Sequence, residues 1–200
     1  MKRILVVEDQ ALVRGAISSL LGLEPDIEVV GQVENGEQAL DFLKQHSVDF
    51  VLTDIEMPKM SGLELAEQIQ ALGLDVQTMI MTTFSKSGYI KRAMTLGVKA
   101  FILKESPTEY LVNAIKTVSQ GQKVIAPELA LMALDDNDPL SEKERKAIRL
   151  AGEGLKTAEI ASKLFLSEGT VRNYLSEAIA KLNATNRVDA ARIARQKGWI

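Results

Sequence analysis

Three carboxylates, a threonine and a lysine stand at the ends of four short apolar runs in the first half of the chain. Ile4-Leu5-Val6-Val7 runs into Glu8-Asp9, and Phe50-Val51-Leu52-Thr53 into Asp54. Met79-Ile80-Met81 runs into Thr82, and Ala100-Phe101-Ile102-Leu103 into Lys104. Such runs read as buried strands, and functional groups gather beyond the carboxyl ends of parallel strands. Glu8, Asp9 and Asp54 would then crowd negative charge into one place. Like charges that close raise one another's pKa unless something compensates. A divalent cation is the simplest compensation, and oxygen ligands without His or Cys suit Mg²⁺. Lys104 adds a positive charge and Thr82 a hydroxyl. A phosphoryl group carried by Asp54 would have its oxygens neutralised and hydrogen-bonded there. Unrelated solvent carboxylates are the plainer alternative, but acid, acid, Thr and Lys on separate strand ends argue against it.

The elements that must position these groups are legible from periodicity. Strands at about 3–8, 27–33, 49–54, 76–82 and 99–103 alternate with helices at about 10–22, 36–45, 62–72, 86–97 and 107–120. Alternation of this kind implies a parallel sheet with helices on both faces, which is why the strands are apolar throughout. Gly22, Gly73, Gly97 and Gly121 fall where helices should stop, and Pro107 near the first turn of the last one. Residues 122–138 read as a linker ending in Asp135-Asp136-Asn137-Asp138, just before Pro139, with a short helix from Pro127 to Leu134. The expected organisation is therefore a first domain over 1–121, a linker over 122–138 and a second domain over 139–200.

Composition sets the outer limits. The 200 residues carry a net charge of −3, but unevenly: residues 1–138 hold 12 Lys+Arg against 20 Asp+Glu, and residues 139–200 hold 12 against 7. A basic last part suggests a polyanionic partner. With no cysteine there is no thiolate site, and with His46 as the single histidine neither a Ser/His/Asp triad nor a zinc site is supported. No run approaches a membrane span and the N-terminus lacks a signal-peptide layout, so a cytoplasmic protein without membrane insertion is expected.

The basic end reads as helical throughout. Ser141-Glu142-Lys143-Glu144 is a capping box with Gly154 as the stop, Thr157 is placed to cap a second helix, Ser167 a third and Asn186 a fourth. Phe165-Leu166 makes a tight turn between the second and third. This is a helix-turn-helix layout. Val171, Leu175, Ala178, Ile179 and Leu182 share one face, which is core. Asn173, Ser176 and Ala180 lie opposite, with Arg172 and Tyr174 on the flanks. Arg pairs with guanine and Asn with adenine in a major groove. Ser167, Thr170, Lys156, Thr157 and Lys181 are positioned for phosphates.

Glu8-Asp9, Asp54 followed by Met57-Pro58 and Gly62, then Thr82 and Lys104, resemble the motif set of bacterial response-regulator receiver domains. That resemblance implies a flavodoxin-like (CheY-like) α/β fold, a five-stranded parallel sheet of order 2-1-3-4-5. It implies Asp54 as phosphoacceptor, Mg²⁺ held by Glu8, Asp9, Asp54 and the Glu56 backbone carbonyl, and a sensor histidine kinase as donor. It implies Thr82 and Phe101 as switch residues, and the clustered Ser and Gly of residues 83–89 read as the mobile loop beside them. Two departures stand out: Glu8 occupies a position often held by Asp, and Glu105 follows Lys104 where many members have proline.

Leu140-Ser141, Glu144-Arg145, Gly154, Glu159-Ile160-Ala161, Leu164, Ser167, Thr170-Val171, Lys181-Leu182 and Asn186-Arg187 resemble the LuxR-type helix-turn-helix, an all-α four-helix domain. A receiver followed by this module resembles the NarL/FixJ class of two-component transcription factors. The resemblance makes Arg172, Asn173 and Ser176 base readers, with Tyr174 standing where the family often has His. It implies double-stranded promoter DNA as partner, a homodimer on phosphorylation, and RNA polymerase as a further candidate partner. The expected product is a transcription factor that assists only its own phosphoryl transfer and dephosphorylation. Ile193 and Ala194 on the last helix are candidate dimer contacts, with packing in the domain core as the equal alternative. A haloacid-dehalogenase-type hydrolase would need Asp-x-Asp-x-Thr on its first strand, and the chain has Glu8-Asp9 there. An adaptor whose helical end binds protein is the remaining rival.

Overall fold

A computed structural model of the chain describes residues 1–83, 86–134 and 138–200, with only the backbone described at 87 and 132–134. Phe84 and Ser85 of the expected mobile loop, and Asp135 to Asn137 of the expected linker, lie outside the described residues. The chain divides into two compact units, Met1–Ser85 with Ile90–Leu131 and Lys86–Tyr89 with Met132–Ile200.

The first unit is built on one parallel sheet. Among the described residues its strands are β1 (Lys2–Val7), β2 (Ile27–Val33), β3 (Phe50–Thr53), β4 (Gln77–Thr82), β5 (Ala100–Leu103) and β6 (Val124–Ile125), in the order β2-β1-β3-β4-β5-β6. Between them run α1 (Ala11–Leu21), α2 (Gly36–Gln45), α3 (Gly62–Ala71), α4 (Ser87–Thr95) and α5 (Thr108–Ser119). Side chains alternate across a strand, so each strand feeds two cores. Ile4, Val6, Leu52, Met79 and Ile102 pack on Ile17 and Leu21 of α1 and on Leu111, Ile115 and Val118 of α5. Leu5, Val7 and Val51 pack on the other face against Ala39 and Leu40 of α2 and Leu65 and Ile69 of α3. Burial on both faces explains why these strands read as unbroken apolar runs.

The sheet has six strands rather than the five expected. Val124 and Ile125, read from sequence as the start of a linker, add a strand beside β5, with Ala100 opposite Val124 and Phe101 opposite Ile125. Val124 N donates to Lys99 O at 2.9 Å and Ala126 N to Phe101 O at 3.0 Å. A two-residue strand leaves no periodic signal, but it covers backbone groups that β5 would otherwise leave open at the sheet edge. The helix expected after it is present as α6 (Pro127–Leu134).

The second unit contains α7 (Glu142–Gly152), α8 (Thr157–Leu164), α9 (Glu168–Lys181) and α10 (Arg187–Lys197). Ile148, Ile160, Val171, Leu175, Ala178 and Ala190 form its core. The Ser141 capping box is formed: Glu144 N donates to Ser141 Oγ, and Ser141 N to Glu144 Oε2 at 2.7 Å. Gly154 takes φ +90°, a left-handed conformation that turns the chain after α7. Thr157 does not cap α8. The N-cap is Lys156, whose N–H donates to the Glu159 carboxylate at 2.6 Å, and Thr157 is the first helical residue. Glu159 takes the capping role because its carboxylate reaches back one turn, as in the second half of a capping box. Ser167 and Asn186 cap α9 and α10 as their positions suggest.

Candidate functional site

The strand register brings the rim residues together. Val7 lies opposite Thr53, Thr53 opposite Ile80 and Thr82 opposite Leu103, so Glu8, Asp54, Thr82 and Lys104 follow at adjacent strand ends. Asp54 N donates to Val7 O at 3.0 Å, and Lys104 N to Thr82 O at 2.8 Å. Lys104 Nζ sits 2.6 Å from Glu8 Oε2 and 2.9 Å from Asp54 Oδ2. All three side chains are at least nine-tenths buried. Asp54 Oδ1 accepts from Ile55 N at 2.7 Å, which holds the carboxylate in one orientation. Thr82 and Phe101 are both buried, and Phe101 points away from the face that Ala100 and Ile102 share with α5.

Electrostatics follow from this packing. Burial pushes the Glu8 carboxyl above its ordinary value, against the pull of Lys104, and the Asp54 charge pushes it the same way. Burial alone would lower the Lys104 amine, but its hydrogen bonds to Glu8 and Asp54 outweigh that and raise it. Lys104 therefore stays charged between two carboxylates.

One carboxylate oxygen each from Glu8, Asp9 and Asp54 lies within 4.8 Å of the others. Their separation, all-oxygen chemistry and surplus of negative charge over the single Lys104 fit a hard divalent cation such as Mg²⁺. Glu56 stands two residues beyond Asp54 in the loop before α3, the position from which a backbone carbonyl was expected to join them.

The loop from Asp54 to α3 is held by a close approach at Gly62. Gly62 N donates to Ile55 O at 3.0 Å, and a Cβ at Gly62 would fall 2.0 Å from Asp54 O. No other residue type fits there without moving the backbone that carries Asp54.

Arg14 was not among the expected site residues. From the first turns of α1 its Nη1 donates to Glu8 O at 2.6 Å and to Asp9 O at 3.4 Å, and its Nη2 pairs with Glu34 at 3.4 Å. The available signal was its spacing, five residues after Asp9, which lets a long side chain reach back over the loop.

In the second unit, α9 presents Arg172, Asn173, Ser176 and Ala180 to solvent while Val171, Leu175 and Ala178 are buried. Arg172 pairs with Glu168 one turn earlier at 2.8 Å. Tyr174 is half-buried and packs against the core. Ser167 Oγ and Thr170 Oγ1 lie 2.8 Å apart, and Ser167 Oγ also accepts from Thr170 N. Lys156 is exposed and Thr157 half-buried. Lys181 differs from its expected setting. Its ammonium lies 2.8 Å from both oxygens of Glu144, whose side chain is buried. Burial would raise the Glu144 carboxyl, but Lys181, Ser141 and Glu177 bring it down to about 2. Of the two readings open for Ala194, dimer contact or core, the structure shows core, with Ala194 fully buried, and Val188 is the large exposed apolar residue of α10.

No helix of the described residues is long and apolar enough to cross a membrane.

Two family models match the chain. The response regulator receiver domain matches residues 4–116, and the bacterial regulatory proteins of the luxR family match residues 138–194. The transcriptional regulatory protein YvfU of Bacillus subtilis, described as uncharacterised, is 44% identical over the whole of both chains. The transcriptional regulatory protein DesR of the same organism is 43% identical over 98% of each chain. A solved structure of two RcsB dimers bound to two parallel DNAs shares the fold, with a TM-score of 0.67, 22% identity and 98% of both chains covered.

Proposed function

The chain belongs to the two-component response regulators, transcriptional regulators that join a receiver domain to a luxR-family DNA-binding domain, and from that membership we propose that Asp54 is the phosphoacceptor of a sensor histidine kinase and α9 the reader of a promoter operator. The observation that carries the first half is the hold of Lys104 on Asp54 at 2.9 Å. One carboxylate oxygen of Asp54 attacks the phosphorus of a phosphohistidine. The P–O bond forms as the P–N bond breaks, and the imidazole leaves with the electron pair. Lys104 faces the oxygens that carry the transferred charge, and Ile55 N–H keeps the carboxylate aimed. Bound Mg²⁺ would add positive charge beside those oxygens, with Glu8, Asp9, Asp54 and the Glu56 carbonyl as its holders. Thr82 then bonds a phosphoryl oxygen, and Phe101 turns in response. Catalysis by the receiver is confined to its own phosphorylation and dephosphorylation, and the protein works in the cytoplasm.

The output runs through the second unit. Phosphorylation favours a homodimer, so that two copies of α9 meet half-sites about one helical turn apart. Arg172, Asn173 and Ser176 read base edges, while Lys156, Thr157, Ser167, Thr170 and Tyr174 contact the backbone. Lys181 serves first as partner of Glu144, with one donor left for a phosphate. RNA polymerase is the proposed further partner at the promoter. The RcsB dimers on DNA support this arrangement by fold alone. A salt titration of duplex binding, with and without phosphorylation, tests the reading. Affinity should fall steeply with salt and rise with phosphorylation. Affinity flat in salt would point to a protein-binding adaptor instead.

A further inference from the structure

We propose that Arg14 is a positioning residue for the divalent-cation site, acting through the backbone of the β1–α1 loop. The inference rests on the reading of Glu8, Asp9 and Asp54 as that site. Two of the three carboxylates sit on consecutive residues of one short loop, so the loop's path decides where both oxygens go. The usual means of fixing such a loop are missing. The N-cap of α1, Gln10, makes no side-chain capping bond, and the first turn of α1 carries no acidic residue. Gln10 N reaches Glu8 Oε1 only at 3.4 Å.

Arg14 supplies the missing restraint. Its guanidinium donates to the carbonyl of Glu8 at 2.6 Å and more loosely to that of Asp9 at 3.4 Å. Its other nitrogen is tied to Glu34, just beyond β2, and Glu8 N itself donates to Val33 O at 3.0 Å. The side chain is 14% exposed, whereas Glu34 is 60% exposed. Withdrawing a guanidinium from water is costly unless its donors are used in a fixed geometry. Here they are spent on the peptide units that carry Glu8 and Asp9. The planar fork matters, because a lysine supplies the charge as a single point.

The test exploits a conflict of sign. Arg14 is a cation beside a cation site, so by charge alone its removal should tighten metal binding. If Arg14 positions the ligands, its removal should loosen binding. Mn²⁺, which takes the same oxygen ligands, is titrated into the full-length protein and followed by electron paramagnetic resonance. Arg14→Gln should raise the Mn²⁺ dissociation constant about tenfold, the scale of outer-shell substitutions around a metal. Arg14→Lys, which keeps the charge and loses the fork, should raise it as well. Arg14→Gln binding Mn²⁺ as tightly as wild type, or tighter, overturns the proposal. If Arg14→Gln does not fold, unchanged affinity in Arg14→Lys overturns it. Wild type that binds no Mn²⁺ would sink the cation reading itself, and this role with it. Intact wild-type binding with unaffected variants would remove the Arg14 role alone.

Discussion

Lys104 Nζ stands 2.9 Å from Asp54 Oδ2, although fifty residues separate them in the chain, and the same ammonium is 2.6 Å from Glu8 Oε2. One buried cation thus serves two buried carboxylates. Removing one partner of such an arrangement leaves charge without compensation. Lys104→Met should lower stability at neutral pH by about 3 kcal/mol. Part of that loss should return on acidification, since Glu8 already binds its proton more readily than an ordinary carboxyl. Denaturant melts at pH 5 and pH 7.5 check this. Equal losses at both would contradict the shared-cation account.

Glu144 gives a pH dependence of opposite sign. Its carboxyl is held at about 2, below the ordinary glutamate value of 4.5. A depressed carboxyl stabilises the fold above its unfolded value, and that stability is lost as pH falls through the folded one. The second unit should therefore weaken between about pH 4.5 and 2. Glu144→Gln should flatten that slope in an acid titration followed by circular dichroism. A wild-type slope surviving the substitution would assign it to other groups.

The Lys181–Glu144 pair also separates stability from DNA contact. Lys181→Met should cost about 2 kcal/mol, less than a fully buried pair because Lys181 is 40% exposed. Thermal unfolding measures it. A variant that melts like wild type but loses DNA affinity would make phosphate contact, and not the Glu144 pair, the first role of Lys181.

Gly62 lies where a side chain has no room. Gly62→Ala would set a methyl 2.0 Å from Asp54 O, so the loop carrying Asp54 must move. Both melting temperature and phosphoryl uptake should fall together. Wild-type uptake in Gly62→Ala would mean that the loop's position does not matter to the acceptor.

Arg172 is exposed and already oriented by Glu168 at 2.8 Å. Arg172→Ala should weaken operator binding by about 1–3 kcal/mol and relax preference at one base position. Competition against single-base operator variants checks it. A uniform loss on all sequences would make Arg172 a phosphate contact.

What the sequence made legible was whatever a single element encodes. Apolar runs ending in Asp54 and Lys104 identify buried strands, and their parallel arrangement gathers the ends. Capping signals at Ser141, Ser167 and Asn186 are local and were formed as read. What escaped depends on groups that local sequence does not display. Val124 and Ile125 form a strand only because β5 offers an open edge. Arg14 works on backbone carbonyls, which no residue type announces. Lys181 reads from sequence only as a phosphate contact because Glu144, its partner, is thirty-seven residues away. Thr157 lost the cap to Lys156 because the extended backbone stands at Lys156 and Thr157 is already helical, with Lys156 N–H held by the Glu159 carboxylate.

The central claim is that Asp54 carries the phosphoryl group. Intact mass after incubation with Mg²⁺ and acetyl phosphate, on wild type and on Asp54→Ala, tests it most directly. One phosphoryl mass on wild type and none on Asp54→Ala is the predicted result. The same adduct on a folded Asp54→Ala would contradict it.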